Sequence, residues 1–357
     1  MELIVDIYKE LKDFKLNINL NIGKETLGFL GASGSGKSMT LRCIAGLVKP
    51  DKGRIVLNGR VLFDSEKRIN LPVQERNVGL LFQNYALFAN LTVKENISFG
   101  LRNLPKREQE FKVKKKMEMM GLMALQDRYP RQISGGEQQR TALARTLVTE
   151  PDCLLLDEPF SALDNHIRSQ LEKELLDTLA DFKGAVVFVT HNLKECYRVS
   201  NKIMIIDRGK IVSYGTRDQV FIDPQTVKAA RLTGCRNISR MEPVISGKIR
   251  AIDWGCDLEI KNNYIEGATH LGIREHQIKL VEESNLPNTY PCWVAQVTET
   301  PFTVILDLKL QEQAKEANDG LLQVIIPKDK YGGIKKKPFP WFAQLKPEHI
   351  FYLKDSV

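Results

Sequence analysis

The sequence predicts an α/β sheet with a helical insertion, followed by a small all-β domain. Short apolar runs, "CLLLDEP", "GAVVFVTH" and "NKIMIIDRG", alternate with helical patterns, as the buried strands of a largely parallel sheet do. A charged helical stretch, "KREQEFKVKKKMEMMGLMAL", lies in the insertion, about residues 86–148. After about residue 235, strands recur at short intervals with Gly, Pro or Asn between them. With 357 residues the chain exceeds what one core usually holds, so two domains are expected, 1–235 and 236–357.

Residues 16–31 alternate and then turn apolar, as one strand feeding the glycine-rich "GASGSGKS" would. A helix follows through "SMTLRCIAGL"; "KPDKG" is read as its end, with Pro50 and Gly53 as stops. "GRIVLNGRVLF" reads as a hairpin turning on Asn-Gly. In the last third, "VISGKIRAIDWGCDLEI", "HLGIREHQIKL", "YPCWVAQVTE", "FTVILDLKL" and "LLQVIIP" read as strands of a barrel-like or OB-like domain.

Hydrophobic residues make up 43% and charged residues 27%, which argues against disorder. Lys and Arg outnumber Asp and Glu by 52 to 44, a net charge of +8. That balance suits nucleotides, nucleic acid or an anionic membrane surface without choosing among them. No apolar run is long enough to cross a bilayer and the N-terminus lacks an apolar signal core, so a membrane role is expected only through a partner. The six cysteines, Cys43, Cys153, Cys196, Cys235, Cys256 and Cys292, include no C-x-x-C pair. Reduced structural thiols are therefore favoured over a disulfide framework or a zinc site.

Residues 31–38, "GASGSGKS", fit G-x-x-x-x-G-K-[ST], the P-loop, with a strand before and a helix after. Gly31, Gly34 and Gly36, with Ala32, Ser33 and Ser35 between them, let backbone N–H groups turn inward as a nest for anionic oxygens. The helix start adds its positive dipole end. Lys37 would reach the β- and γ-phosphates and Ser38 would hold Mg²⁺ by its hydroxyl. The bland alternative is a flexible Gly/Ser turn. In "CLLLDEPF", Asp157 emerges at the C-terminal end of a buried strand, where α/β sheets place ligands, and is a candidate Mg²⁺ ligand. Glu158, one residue on, is placed to polarise a water at a γ-phosphate. An acidic pair after an apolar run is commonplace and often only caps a helix; the upstream P-loop favours the catalytic reading.

Residues 132–140 read "QISGGEQQR". With the two preceding motifs, this resembles the ATPase subunit of an ABC transporter, whose signature usually reads Leu-Ser-Gly-Gly-Gln. Here Ile133 replaces Leu and Glu137 replaces Gln, while Ser134, Gly135 and Gly136 supply a second anion nest. The resemblance implies a P-loop NTPase fold, with a RecA-like core, a helical insertion and an N-terminal antiparallel β part. It implies ATP and Mg²⁺ as cofactors and a homodimer in which each signature closes over the partner's ATP. It also implies roles for residues that are weak signals alone. Gln83 in "LLFQNYALF" resembles the glutamine that senses Mg²⁺ and the attacking water. Asp164 in "SALD" resembles the acid of the loop at the dimer seam. His191 in "VFVTHN" resembles the switch histidine at the γ-phosphate, although alone it reads as a satisfied strand-end residue. An aromatic ahead of the P-loop is implied for adenine stacking, with Tyr8 and Phe14 both candidates.

The C-terminal part resembles the regulatory (TOBE/MOP-like) domain of importer ATPases for oxyanions, sugars, polyamines and iron. "IVLNGRVLFDSEKRINLPVQERNVGLLFQNYALF", "LTGCRNISR" and "IDWGCDL" look most like the molybdate or sulfate branch. The implied partners are integral membrane permease subunits and, indirectly, an extracytoplasmic solute-binding protein, which puts the chain at the cytoplasmic face of the membrane. Nucleic acid is not expected, because ABC ATPases of that kind carry two cassettes or a long coiled coil. His270, Arg274, His276 and Lys279 cluster by position and are candidate oxyanion donors, against the plainer reading of surface polar residues. The basic run after residue 105 reads as a solvated helix face, and residues 83–105 as the side that meets a partner.

Overall fold

Strands that are apolar along their whole length need cover on both faces, and the first part of the chain supplies it. The computed structural model describes residues 1–12, 14–161, 165–244, 248–313 and 320–355, and only the backbone of 165–167. It divides into two compact units, Met1–Arg217 and Asp218–Val357. The elements of the first unit are, in order, β1 (Leu3–Glu10), β2 (Lys15–Ile22), β3 (Thr26–Leu30), α1 (Lys37–Ala45), β4 (Lys52–Leu57), β5 (Arg60–Asp64), β6 (Ile69–Asn70) and β7 (Val78–Leu81). Then come α2 (Val93–Ser98), α3 (Lys106–Met119), α4 (Gly135–Leu147), β8 (Cys153–Asp157), α5 (Asn165–Ala180), β9 (Ala185–Val189), α6 (Leu193–Val199), β10 (Lys202–Asp207) and β11 (Lys210–Thr216).

Two sheets result. One is antiparallel, in the order β2-β1-β4-β5-β6, and the other runs β11-β10-β3-β9-β8-β7 with every neighbour parallel except β11. Residues 16–31 are therefore two strands in two sheets, not the single strand expected. Burial along β2 alternates, the pattern of a sheet with one wet face, whereas β3 is buried throughout. The Asn-Gly turn of the β4–β5 hairpin forms as read, with Asn58 and Gly59 both at positive φ (52° and 80°). One core lies between the antiparallel sheet, α1 and the central sheet. A second packs α2, α3, α4 and α5 against the other side of β8 and β9. Only Val113 and Met117 of α3 are buried, so its Lys- and Glu-rich remainder is a solvated face.

Helix α1 ends earlier than Pro50 and Gly53 suggested. Gly46 is its C-cap in the left-handed conformation (φ 85°), donating to the Arg42 and Cys43 carbonyls. A Cβ at Gly46 would lie 2.5 Å from Arg76 Nε. Arg76 is 1% exposed, and its guanidinium donates to Cys43 O (3.0 Å), Ile44 O (2.9 Å), Leu71 O (2.9 Å) and Asn70 Oδ1 (2.8 Å). A buried cation thus closes the negative end of the helix whose other end begins at Lys37.

The second unit carries α7 (Arg217–Ile222) at its start, then α8 (Val227–Leu232), β12 (Asn237–Pro243), β13 (Ile249–Ala251), β14 (Cys256–Leu258), β15 (His270–Ile273) and β16 (Lys279–Val281). It continues through β17 (Thr289–Glu299), β18 (Thr303–Leu310), β19 (Leu322–Pro327), α9 (Lys328–Ile334), β20 (Trp341–Gln344) and β21 (Phe351–Leu353). Its strands form two antiparallel sheets, β14-β13-β12-β15-β21 and β16-β20-β17-β18-β19, around one apolar core. The division falls earlier than residue 235, because Val227, Ala230 and Cys235 cluster with Phe351 and Leu353.

Replacing Arg76 takes a donor from each of four acceptors, so Arg76→Ala should lower the unfolding free energy by about 3 kcal/mol in denaturant titration. Lys at this position should recover only part, since one ammonium cannot span the four acceptors. A change within about 0.5 kcal/mol would contradict this account of the helix end.

Candidate functional site

Four neighbouring parallel strands, β3, β9, β8 and β7, deliver one loop each to the same edge of the central sheet. Their C-terminal ends are where a doubly wound sheet gathers ligands. Together these loops line a cleft of about 500 Å³ that includes residues 33–38, Gln83, Glu158 and His191. Leu11, Phe14, Met39 and Arg42 complete it.

The loop after β3 has the geometry that its glycines imply. A Cβ on Gly31 would lie 2.1 Å from the Ile206 carbonyl oxygen, and Gly36 sits at φ 109° as the N-cap of α1, with Leu16 Cδ1 2.7 Å from any added Cβ. The Ser35 hydroxyl is buried with no hydrogen-bond partner. Lys37 is 6% exposed, and its ammonium donates to the Gly31 (2.8 Å) and Ala32 (2.9 Å) carbonyls of its own loop. Burial lowers its pKa, with Glu158 and Asp157 pulling the other way. A buried ammonium, an orphaned hydroxyl and a helix start thus face one concavity, an arrangement that fits a chain of phosphates.

Ser38 follows Lys37 and donates from Oγ to Asp157 Oδ1 at 2.8 Å. Asp157 ends β8 and is buried; desolvation raises its pKa, while the Ser38 bond acts in the opposite sense. Glu158 turns out of the strand in the left-handed region (φ 46°), its N–H bonded to Val189 O at 2.9 Å across to β9. Its Oε2 meets His191 Nδ1 at 3.1 Å and Gln83 Nε2 at 3.3 Å. The Ser38 hydroxyl, the Asp157 and Glu158 carboxylates and the Gln83 carboxamide therefore lie beside the phosphate nest, residue types suited to Mg²⁺, which keeps several of its waters. Among the described residues no three His, Cys, Asp or Glu side chains gather as a metal cluster.

Of the two aromatics upstream, Phe14 reaches the cleft. Tyr8 does not line it and is paired within the antiparallel sheet, opposite Asn17 and Lys52. The segment 133–137 makes the start of α4, with Ser134 as N-cap. Glu137 completes a capping box there: its Oε2 accepts from Ser134 N (2.7 Å) and Ser134 Oγ (2.9 Å). The bond from the Ser134 N–H holds its carboxyl below the usual range. Either Glu or Gln can make this box, which accounts for Glu in place of the usual Gln. Asp164 lies outside the described residues.

Arg145 was not singled out from the sequence. From α4 it donates to the Tyr85 and Ala86 carbonyls (2.8 Å each), holding the positive-φ turn after Gln83. Among the four suggested oxyanion donors, Arg274 is committed elsewhere. It donates to Thr233 O (2.9 Å), Thr233 Oγ1 (3.1 Å) and the Phe221 carbonyl. None of the four lines the second unit's polar cavity of about 450 Å³. All six cysteines are buried and free.

Residues 11–161 match the family model described as "ABC transporter". The molybdate/tungstate import ATP-binding protein WtpC of Pyrococcus horikoshii is 36% identical over 87% of this chain and 88% of its own length. The sulfate/thiosulfate import ATP-binding protein CysA of Synechococcus elongatus is 33% identical over 99% and 97%. The Fe(3+) ions import ATP-binding protein FbpC of Haemophilus influenzae is 42% identical over 59% and 60%. Among solved structures, a dimeric ATP-binding cassette in a post-hydrolysis state with ADP and Pi superposes with a TM-score of 0.52 at 26% identity, covering 61% of this chain and 99% of that one. The chain belongs to the ABC transporter family, as an ATP-binding subunit of the importer type. It is an ATPase. No helix among the described residues is long and apolar enough to cross a membrane.

Lys37 is the buried cation of the nest, so Lys37→Ala should abolish tight binding of a fluorescent ATP analogue in equilibrium titration. Unchanged affinity would contradict the assignment of this loop to phosphate.

Proposed function

We propose that two copies of this chain hydrolyse ATP at their shared seam to power import of an oxyanion, of the molybdate or sulfate type, through separate membrane permease subunits. The observation that carries the reading is the convergence of Lys37, the Ser38–Asp157 pair, Glu158, Gln83 and His191 on one cleft. In this reading the amides of residues 31–38 hold the β- and γ-phosphates, and Phe14 is the aromatic that stacks on adenine. Ser38 and Asp157, with Gln83, would hold Mg²⁺, which neutralises charge developing on the phosphates. Glu158 orients the attacking water or takes its proton, a contribution of roughly 10²–10⁴ in rate. His191, beside the same carboxylate, contacts the γ-phosphate. Ser134, Gly135, Gly136 and Glu137 meet the partner's ATP, with Asp164 at the seam. Loss of the γ-phosphate removes those cross-seam contacts and lets the pair open.

Placement at the cytoplasmic face of the membrane, with an extracytoplasmic binding protein delivering solute, is supported by the importer relatives. The oxyanion is supported by relatives that align over most of the chain and are named for molybdate/tungstate or sulfate/thiosulfate. Iron(III) is the second reading, supported by the FbpC relative, although its 42% identity is matched by sulfate/thiosulfate relatives over longer stretches.

Glu158→Gln should lower phosphate release by at least about 10²-fold while ATP binding persists, and should run as an ATP-dependent dimer in size-exclusion chromatography. Wild-type turnover in that variant would remove Glu158 from the chemistry. With its permease in proteoliposomes, the wild-type ATPase should be stimulated by molybdate or sulfate delivered on the binding protein. Stimulation by iron(III) instead would select the second reading.

A further inference from the structure

His191 has a side chain that is 66% exposed, yet its imidazole meets Glu158 Oε2 at 3.1 Å. Packing alone gives so exposed a ring little guidance, so its aim comes from the backbone on either side. Thr190, just before it, is buried, and its Oγ1 accepts the N–H of Asn192, just after it, at 3.0 Å. The same hydroxyl donates to Glu195 Oε2 at 2.6 Å. Asn192 in turn caps α6, its Oδ1 accepting from Lys194 N (2.9 Å) and Glu195 N (3.3 Å).

Glu195 is only 4% exposed. Its other oxygen lies 3.7 Å from Arg168 Nε, in the first turn of α5. Burial pushes the Glu195 carboxyl up, and the Thr190 bond and Arg168 oppose that shift. Placing a carboxylate in an interior is costly unless its partners are well arranged. Clamping α5 to α6 does not require it, because Glu172 and Arg198 already join those helices at 2.8 Å. Glu195 is instead turned toward the loop that carries His191.

We propose that Glu195 is a positioning residue for His191: its buried carboxylate, faced by Arg168, fixes the Thr190 hydroxyl and, through it, the backbone that aims the imidazole at Glu158. The proposal rests on the reading of Glu158 and His191 as groups of ATP hydrolysis. It also ties the histidine to α5, the helix that follows the segment containing Asp164.

The test uses the full-length protein with MgATP. Thr190→Val keeps the side-chain shape and removes both hydroxyl bonds; Glu195→Ala removes the carboxylate, and Glu195→Gln restores an acceptor for Thr190. Thr190→Val and Glu195→Ala should each lower kcat by about 10²-fold, as a reacting group displaced by about an ångström does. KM and fluorescent-ATP affinity should stay within about two-fold, and Glu195→Gln should recover most of the rate. Adding Thr190→Val to His191→Ala should cost nothing further, because both act through one ring. If His191→Ala alone turns over like wild type, the reading of the histidine fails and the proposal falls with it. If His191→Ala is inactive while Thr190→Val and Glu195→Ala keep wild-type kcat, the positioning role alone is overturned. Losses that add to that of His191→Ala, or that fall equally on ATP affinity, indicate a general structural role and overturn it too.

Discussion

The parallel register of β3, β9, β8 and β7 is the constraint on which the site depends. Thr26 lies opposite Val186, Cys153 opposite Ala185, and Val78 opposite Cys153, so the strands finish almost level. Asp157 lies opposite Val189, and the next N–H, from Glu158, closes onto that valine's carbonyl. A one-residue slip would turn Asp157 to the other face and move Glu158 away from His191. What prevents the slip is apolar burial on both faces of β3, β8 and β9, with every residue in these strands buried. The chemistry at the edge is thus held by contacts that contain no chemistry.

Three buried charges then refine what the register places. Lys37 is solvated by loop carbonyls, Arg76 by the carbonyl end of α1, and Glu195 by a hydroxyl with an arginine nearby. Each lies where an unpaired charge would be costly, and each has oriented dipoles or an opposite charge beside it. Lys37 differs from the other two in a way that matters for function. Its partners are backbone carbonyls of the same short loop, so exchanging them for phosphate oxygens requires only a local change and gains opposite charge. Arg76 bridges segments distant in sequence and has no comparable exchange open to it.

Short-range patterns in the sequence reached the site but not its supports. "GASGSGKS", "CLLLDEP" and "VFVTHN" are legible because a nest, a strand end and a loop are each built from neighbouring residues. The alternation within residues 16–22 and the change of pattern at 26–30 are legible too, but the break between them is not, because no strong breaker other than Gly23 separates them. Pro50 outweighs Gly46 as a stop signal for a similar reason: proline announces itself locally, whereas the need for a bare Cα at 46 comes in part from an arginine thirty residues on. Arg76, Arg145, Thr190 and Glu195 carry no local signature, since their partners are fixed only once the sheet order is. Phe14 over Tyr8 is likewise a matter of which residue lies past the end of β1.

The second unit obeys a different electrostatic logic. Its polar cavity is lined by Asp223, Glu348 and His349, amide side chains of Gln225, Asn262, Asn263 and Gln277, and the rings of Tyr264 and Tyr352, with no lysine or arginine. Burial already raises the Asp223 carboxyl, so a dianion entering would meet carboxylates in a partly desolvated space. At an effective dielectric near 20, two unit charges 4 Å apart repel by about 4 kcal/mol, more than a few amide hydrogen bonds return. Arg274, one of the four candidate oxyanion donors, caps α8 and reaches back to α7, where its loss would loosen the start of the unit. An oxyanion held there would therefore rely on His349 or on cations from outside that cavity, whereas the Arg274 guanidinium is spent on the fold.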